Sequence, residues 1–202
     1  IFIGKDREGT LRKRWSCISK EHMIFIEMYP EDCFIAPGDM RLGGYHVEDF
    51  QLTQLKSYGI EAKKKEIIPN ISKRVILYPE KGFEKKKWHY ENFLKLYDSL
   101  KERGIVVYIL KSMGLEIDVK GAVFFDELHD IRGFFNDGGI FVSNDSGMAH
   151  FAGMCGLYTI TIFSDFDPYV WHPRGKGTVV RCSEDKVDIA LIESKIEEAL
   201  KV

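Results

Sequence analysis

The stretch "FVSNDSGMAHFAGMCG" at residues 141–156 places short polar side chains and a glycine between an apolar, strand-like run and a small-residue, helix-like run. Ser146 and Gly147 fall where that helix would begin. The first N–H groups of a helix have no internal partner, and with the helix dipole they form a site suited to a phosphate. Gly147 would let an anion approach the backbone, and Ser146 could donate its hydroxyl. His150, one turn on and on roughly the same face, could add a hydrogen bond or a positive charge. Asp145 is better suited to fixing the loop or binding a hydroxyl, because two anions repel. A purely structural account competes with this one: Asp145 or Ser146 caps the helix, and His150 packs in the core.

Two further seams carry chemistry. In "YPEKGFEKKKWHYENF" (78–93), Lys85, Lys86 and Lys87 stand just before a helix, where the dipole favours anions and disfavours cations. A lysine cluster there makes sense when an anionic ligand lies between the ammonium groups and the amides; solvated surface lysines are the plainer alternative. Trp88 would pack and hold the turn. The segment is not a P-loop, because G-x-x-x-x-G-K-[ST] is absent. In "FSDFDPYVWHPRG" (163–175), aspartates and aromatics crowd one loop with His172 and Arg174. Carboxylates and flat aromatic faces suit a polyhydroxylated ligand, and an ordinary aromatic-anchored loop is the competing account. Phosphate donors, lysines and sugar-compatible groups at three strand ends together point to a nucleotide-sugar.

The elements that must position these seams read as α/β. "VILY" (75–78), "IVVYIL" (105–110), "AVFF" (122–125), "IFVS" (140–143), "YTITIF" (158–163) and "TVVRC" (178–182) are strand-like. Between and after them come helical runs at 89–104, at 127–139 with an interruption at Gly133, after Gly147, and at 186–201. The run at 89–104 presents Tyr90, Phe93, Leu94, Tyr97 and Leu100 on one face and stops at Gly104. Strands apolar on both faces, alternating with helices, predict a mostly parallel, Rossmann-like sheet covered on both sides. Ligands of such sheets bind beyond the carboxyl ends of the strands. Residues 1–69 read differently, with strand-like "MIFIEMY" (23–29), a helix over 46–60 striped by Val47, Phe50, Leu52 and Leu55, and a basic linker at 61–70. The division expected is 1–69 and 70–202.

Composition narrows the class. With 202 residues, 45% hydrophobic and 30% charged, the chain has material for a sizeable core and a solvated surface. A net charge of −2 gives no overall drive toward nucleic acid or anionic lipid. The four cysteines are scattered without a C-x-x-C pair, which argues against zinc or redox motifs and fits a reduced cytosolic protein. No apolar run approaches the ~18 residues of a membrane span. Residue 1 is Ile and no signal peptide is visible, so the true start is expected upstream.

The order of these motifs resembles the C-terminal domain of glycosyltransferase family 9, the ADP-heptose:lipopolysaccharide heptosyltransferases. The family's S-x-D-[ST]-G-x-x-H signature is matched by Ser143, Asp145, Ser146, Gly147 and His150. Its F-x-x-x-D-P-x-x-W-x-P-x-G loop is matched by Phe163, Asp167, Pro168, Trp171, Pro173 and Gly175. The helix at 46–60 is similar to the segment closing the family's N-terminal domain. The resemblance implies a GT-B-type architecture, with 70–202 as the donor-binding domain and 1–69 as an incomplete N-terminal, acceptor-side lobe and linker. It implies donor-binding roles for Lys86, Glu116, Asp145, Ser146, Gly147, His150 and Asp167. The implied chemistry is an inverting, metal-independent transfer without a cofactor, from a nucleotide-diphosphate sugar to a lipopolysaccharide core-type acceptor. That would take place in the cytoplasm, at the inner face of the membrane. The family's early Gly-Asp loop, which carries the general base, is not in this sequence, so no residue here inherits that role. The chain is expected to be a fragment of a longer enzyme; a shortened protein that binds donor without turning it over is the alternative.

Hydrolase readings fare worse. Asn144 and Met148 stand where the nucleophile elbow G-x-S-x-G needs glycines, and a histidine four residues along the same helix is poorly placed as a triad base. No H-E-x-x-H and no clustered ligand set occurs among the six histidines.

Overall fold

The computed structural model describes residues 2–3, 9–15, 24–26, 46–79, 88–114, 116, 118–164, 166–182 and 187–201. The chain divides into two compact units, Ile1–Lys65 with Tyr169–Trp171, and Glu66–Pro168 with His172–Val202.

In the first unit, strands β1 (Phe2–Ile3) and β2 (Phe25–Ile26) pair in parallel. Helix α1 (Thr10–Trp15) lies between them in sequence, and helix α2 (Val47–Ser57) follows. His46 caps α2, its Nδ1 accepting from the Glu48 N–H at 3.3 Å. Glu48 and Asp49 in the first turn complement the helix dipole, and Gly59 ends the segment at φ 75°. The expected helix forms, but its apolar residues are half-buried just as Glu48, Asp49 and Gln51 beside them are, and no residue of α2 is fully buried.

The second unit is built on six strands, β3 (Arg74–Tyr78), β4 (Val106–Leu110), β5 (Ala122–Val123), β6 (Ile140–Asn144), β7 (Tyr158–Phe163) and β8 (Gly177–Arg181). All pairings are parallel and the spatial order is β5-β4-β3-β6-β7-β8. Parallel neighbours cannot be joined by a tight turn, so long crossovers return the chain to the opposite edge. The crossover helices are α3 (Tyr90–Glu102), α4 (Leu128–Phe135) and α5 (Gly147–Met154). The short α6 (Pro168–Trp171) precedes β8, and α7 (Ile189–Ala199) ends the unit.

Side chains alternate between two cores. Val75, Leu77, Val142, Ile160 and Ile162 pack with Phe93, Leu96, Tyr97 and Leu100 of α3 and with Ile192 and Ile196 of α7. Ile76, Tyr78 and Phe141 face the other way, onto Ile131 and Phe135 of α4 and Ala149 and Ala152 of α5. Both sheet faces are therefore dry, which is why the strands read as unbroken apolar runs.

Local details correct the sequence reading. The buried seam of α3 includes Leu96, whereas Tyr90 is 45% exposed and Leu94 only partly buried. Helix α4 runs through Gly133 without a break, because two phenylalanines directly after it anchor the last turn. Strand β5 is two residues long, and β8 is an edge strand with one face open to solvent.

At the amino edge of the sheet, Arg74 ties β3 to the end of α4. Its Nε donates to the Gly138 carbonyl at 2.6 Å and its Nη2 to the Phe134 carbonyl. Asp137 lies 3.5 Å from Nη1, and the Phe134 ring stacks 4.6 Å from the guanidinium carbon. Burial pushes the guanidinium pKa below its ordinary value, with Asp137 opposing the shift. Its side chain is only 11% exposed, so these charge-assisted bonds are little weakened by water. Arg74→Met keeps the aliphatic packing and removes the bonds. We expect it to destabilise the second unit by about 2 to 3 kcal/mol in urea unfolding.

Candidate functional site

The register sets the geometry. Tyr78 is paired with Ser143, Leu77 with Ile109, and Asn144 with Ile162. Hence β4, β3, β6 and β7 reach the carboxyl rim at nearly the same height. Neighbouring strands stand about 4.8 Å apart, so the rim from β4 to β7 is roughly 14 Å wide. Between β3 and β6 the order of the strands reverses; α3 leaves toward one face and α5 toward the other. Such a switch point leaves a crevice outside the strand ends.

The β6–α5 turn lies on that crevice. Ser143 and Asn144 are buried at the strand end. The Asp145 N–H donates to the Ile162 carbonyl at 2.9 Å, extending the β6–β7 ladder one residue past the strand. Ser146 is the N-cap of α5, its Oγ accepting from the Ala149 N–H at 3.3 Å. The capping account of Ser146 is therefore observed. Accepting a bond at Oγ leaves the hydroxyl proton for another acceptor. Among the described residues, the N–H groups of Gly147 and Met148 find no acceptor.

Gly147 is the informative residue. A Cβ built there meets no atom of the described residues within 4 Å, and its φ is not left-handed. Neither space nor backbone conformation calls for glycine, although glycine costs up to about 1 kcal/mol relative to alanine inside a helix. Gly153, near the other end of α5, is the opposite case. A Cβ there would collide with the Arg174 carbonyl oxygen, and Gly175, at φ 91°, would set its own Cβ 2.9 Å from the Gly153 carbonyl oxygen. Glycine at both positions lets the helix lie against the 172–175 backbone. With Ala149 and Ala152, Gly153 completes the buried small-residue stripe of α5.

The remaining expected residues are distributed along the same rim. His150 is half-buried, in register with Ser146 one turn along α5. Glu116 is exposed in the β4–β5 connection. Asp167, four residues beyond β7, is exposed and pairs with Arg181 of β8 at 3.1 Å. That contact is a structural use for Asp167, worth little at this exposure. Lys86, with Lys85 and Lys87, lies outside the described residues, as does Asp165. The seams after β4, β6 and β7 thus share one rim, while Asp167 is already engaged by a strand neighbour.

One contributor carried no signal of its own in the sequence. The side-chain amide of Asn144 accepts from the Trp88 N–H and donates to the Trp88 carbonyl, both at 3.1 Å. Trp88 is 1% exposed; its indole packs edge-on against Phe93 at 4.6 Å and donates to the Val187 carbonyl at 2.9 Å. Trp88 therefore packs as expected, and its backbone is bonded to a partner 56 residues away in sequence; the turn before it lies outside the described residues. Among the described residues, no group of three or more His, Cys, Asp and Glu could hold a metal ion, and no helix is long and apolar enough to cross a membrane. Burial raises the thiol pKa of Cys155, at the C-terminal end of α5, which makes it a poor nucleophile.

No family model and no curated protein sequence matches the chain. Solved structures similar to it include the following three. E. coli heptosyltransferase WaaC with ADP aligns with a TM-score of 0.58 at 18% identity, over 76% of this chain and 56% of that one. The same enzyme with ADP-2-deoxy-2-fluoro heptose gives 0.55 at 17%, over 75% and 55%. A glycosyl transferase family 9 protein from Veillonella parvula gives 0.60 at 12%, over the whole of this chain and 63% of its own. The chain thus spans little more than half the length of the two WaaC structures. At these identities the likeness establishes the fold: the mixed α/β, Rossmann-type parallel sheet of GT-B-like glycosyltransferases, as expected from the sequence.

Gly153→Ala should force α5 away from the Arg174 carbonyl, an overpacking cost of about 1 to 3 kcal/mol. Thermal unfolding should show a clear drop in Tm; an unchanged Tm would mean that α5 and the 172–175 segment are not in close contact.

Proposed function

We propose that the chain is the donor-binding part of a glycosyltransferase family 9 enzyme that transfers a sugar from a nucleotide-diphosphate donor, heptose from ADP-heptose, to a lipopolysaccharide core-type acceptor. The observation that carries the reading is Gly147. A glycine that no described residue requires stands at the first turn of a helix, with two N–H groups that find no acceptor among the described residues, on the switch-point crevice of a Rossmann-type sheet. Close approach of an anion to the backbone explains all three features. The likeness to WaaC solved with ADP and with an ADP-heptose analogue supports the choice of anion.

In this reading the first turn of α5 holds the donor diphosphate. Its amides and dipole stabilise the negative charge that grows on the nucleotide as the bond from the anomeric carbon to the phosphate oxygen breaks. Ser146 donates its remaining proton to a phosphate oxygen, and His150 and Lys86 add donors or positive charge. Asp145 and Asp167 accept from sugar hydroxyls, and Glu116 accepts from the ribose. Residues 1–69 form part of the acceptor-side lobe, and 70–202 form the donor domain. The acceptor attacks with inversion and without a metal, and its proton goes to a base outside this sequence. The reaction takes place in the cytoplasm at the inner membrane face.

Titration with ADP tests the binding half. ADP at about a hundredfold its Kd should stabilise the second unit by about 2.7 kcal/mol. Gly147→Ala should leave the unligated Tm unchanged or slightly raised and weaken ADP at least about tenfold, or 1.4 kcal/mol. Equal ADP affinity in the two proteins would remove the phosphate from α5. Release of ADP from ADP-heptose in the presence of acceptor separates a transferase from a module that only binds donor.

A further inference from the structure

We infer that Asn144 is a positioning residue for the diphosphate, acting by fixing the distance between two helix N-termini; the inference rests on the nucleotide reading above. Helices α3 and α5 follow the neighbouring strands β3 and β6 but pack on opposite faces of the sheet. Their N-termini therefore flank the switch-point crevice from its two sides. Among the described residues, the N-cap of α3, His89, makes no side-chain capping bond, and the Gly147 and Met148 amides of α5 find no acceptor. Each N-terminus carries roughly half a positive charge, and its field falls off within about one turn. One anion feels both only if their spacing is held.

That spacing is held by the amide of Asn144. It sits three residues before the first residue of α5 and bonds both backbone groups of Trp88, two residues before the first residue of α3. The amide accepts with its oxygen and donates with its nitrogen; a carboxylate there would face the Trp88 carbonyl without a proton. Asn144 is 4% exposed with its oxygen and nitrogen both engaged, so it acts through the helices and not by touching the ligand. The indole of Trp88 extends the same tie to Val187, just before α7.

The test is calorimetric titration of ADP and of AMP into the wild-type chain, Asn144→Asp, Asn144→Ala and Arg74→Met, each well below its own Tm. The wild type should prefer ADP over AMP, because the second phosphate completes the anion at the crevice. Both Asn144 variants should lose roughly tenfold in that preference. Arg74→Met, destabilised at the opposite edge of the sheet, should keep it. A preference unchanged in whichever Asn144 variant folds, or lost equally in Arg74→Met, overturns the inference and leaves the nucleotide reading standing. Failure of the wild type to bind ADP overturns both.

Discussion

The parallel pairing of β3 with β6 is the constraint on which the rest depends. Adjacent in space but separated by two other strands in sequence, these strands force the chain to wind outward in both directions from the middle of the sheet. Their connections must leave on opposite faces, so the crevice between them cannot be closed by backbone. Everything polar at the rim answers to that gap. Ser143 and Asn144 would be costly at the end of a fully buried strand unless bonded, and both are: Ser143 to the Asn144 carbonyl at 2.8 Å, and Asn144 to Trp88.

The two ends of the strand axis differ in how they are held. At the amino edge the chain is heavily tied. Arg74 gathers the carbonyls at the end of α4, and Asn70 binds the Asn136 carbonyl at 2.8 Å and the Gly156 carbonyl through its own N–H at 2.7 Å. At the carboxyl edge, among the described residues, Asn144 ties to Trp88 and the Asp145 N–H to the Ile162 carbonyl. Substitutions there should alter ligand selection with less damage to the fold, the usual division of labour in α/β proteins.

Much of this was legible in the chain. Strands dry on both faces lose their polar alternation, so "VILY", "IFVS" and "YTITIF" announce a parallel sheet, and polar residues directly after "IFVS" mark its carboxyl end. Other features leave no local trace. The strand-like "TVVRC" would read the same inside the sheet or at its edge, because propensity reports the pleat and not the neighbour. Gly133 looked like a break in α4, yet tertiary packing of Phe134 and Phe135 outweighs the local cost. Asn144 was visible only as one polar residue among several, since its meaning depends on Trp88, 56 positions earlier. Gly153 needs Arg174, and Gly147 becomes telling only once the space around it is known to be open.

The mutual accommodation of Gly153 and Gly175 reaches further than packing. An eight-residue helix is a short lever, and the Arg174 carbonyl acts as a stop against its trailing half. Movement of the helix tail toward that backbone is blocked there, more than a full turn from the leading amides. The direction in which those amides point is thus set at the tail of the helix, and mutations around residues 172–175 can re-aim the site without lying at it.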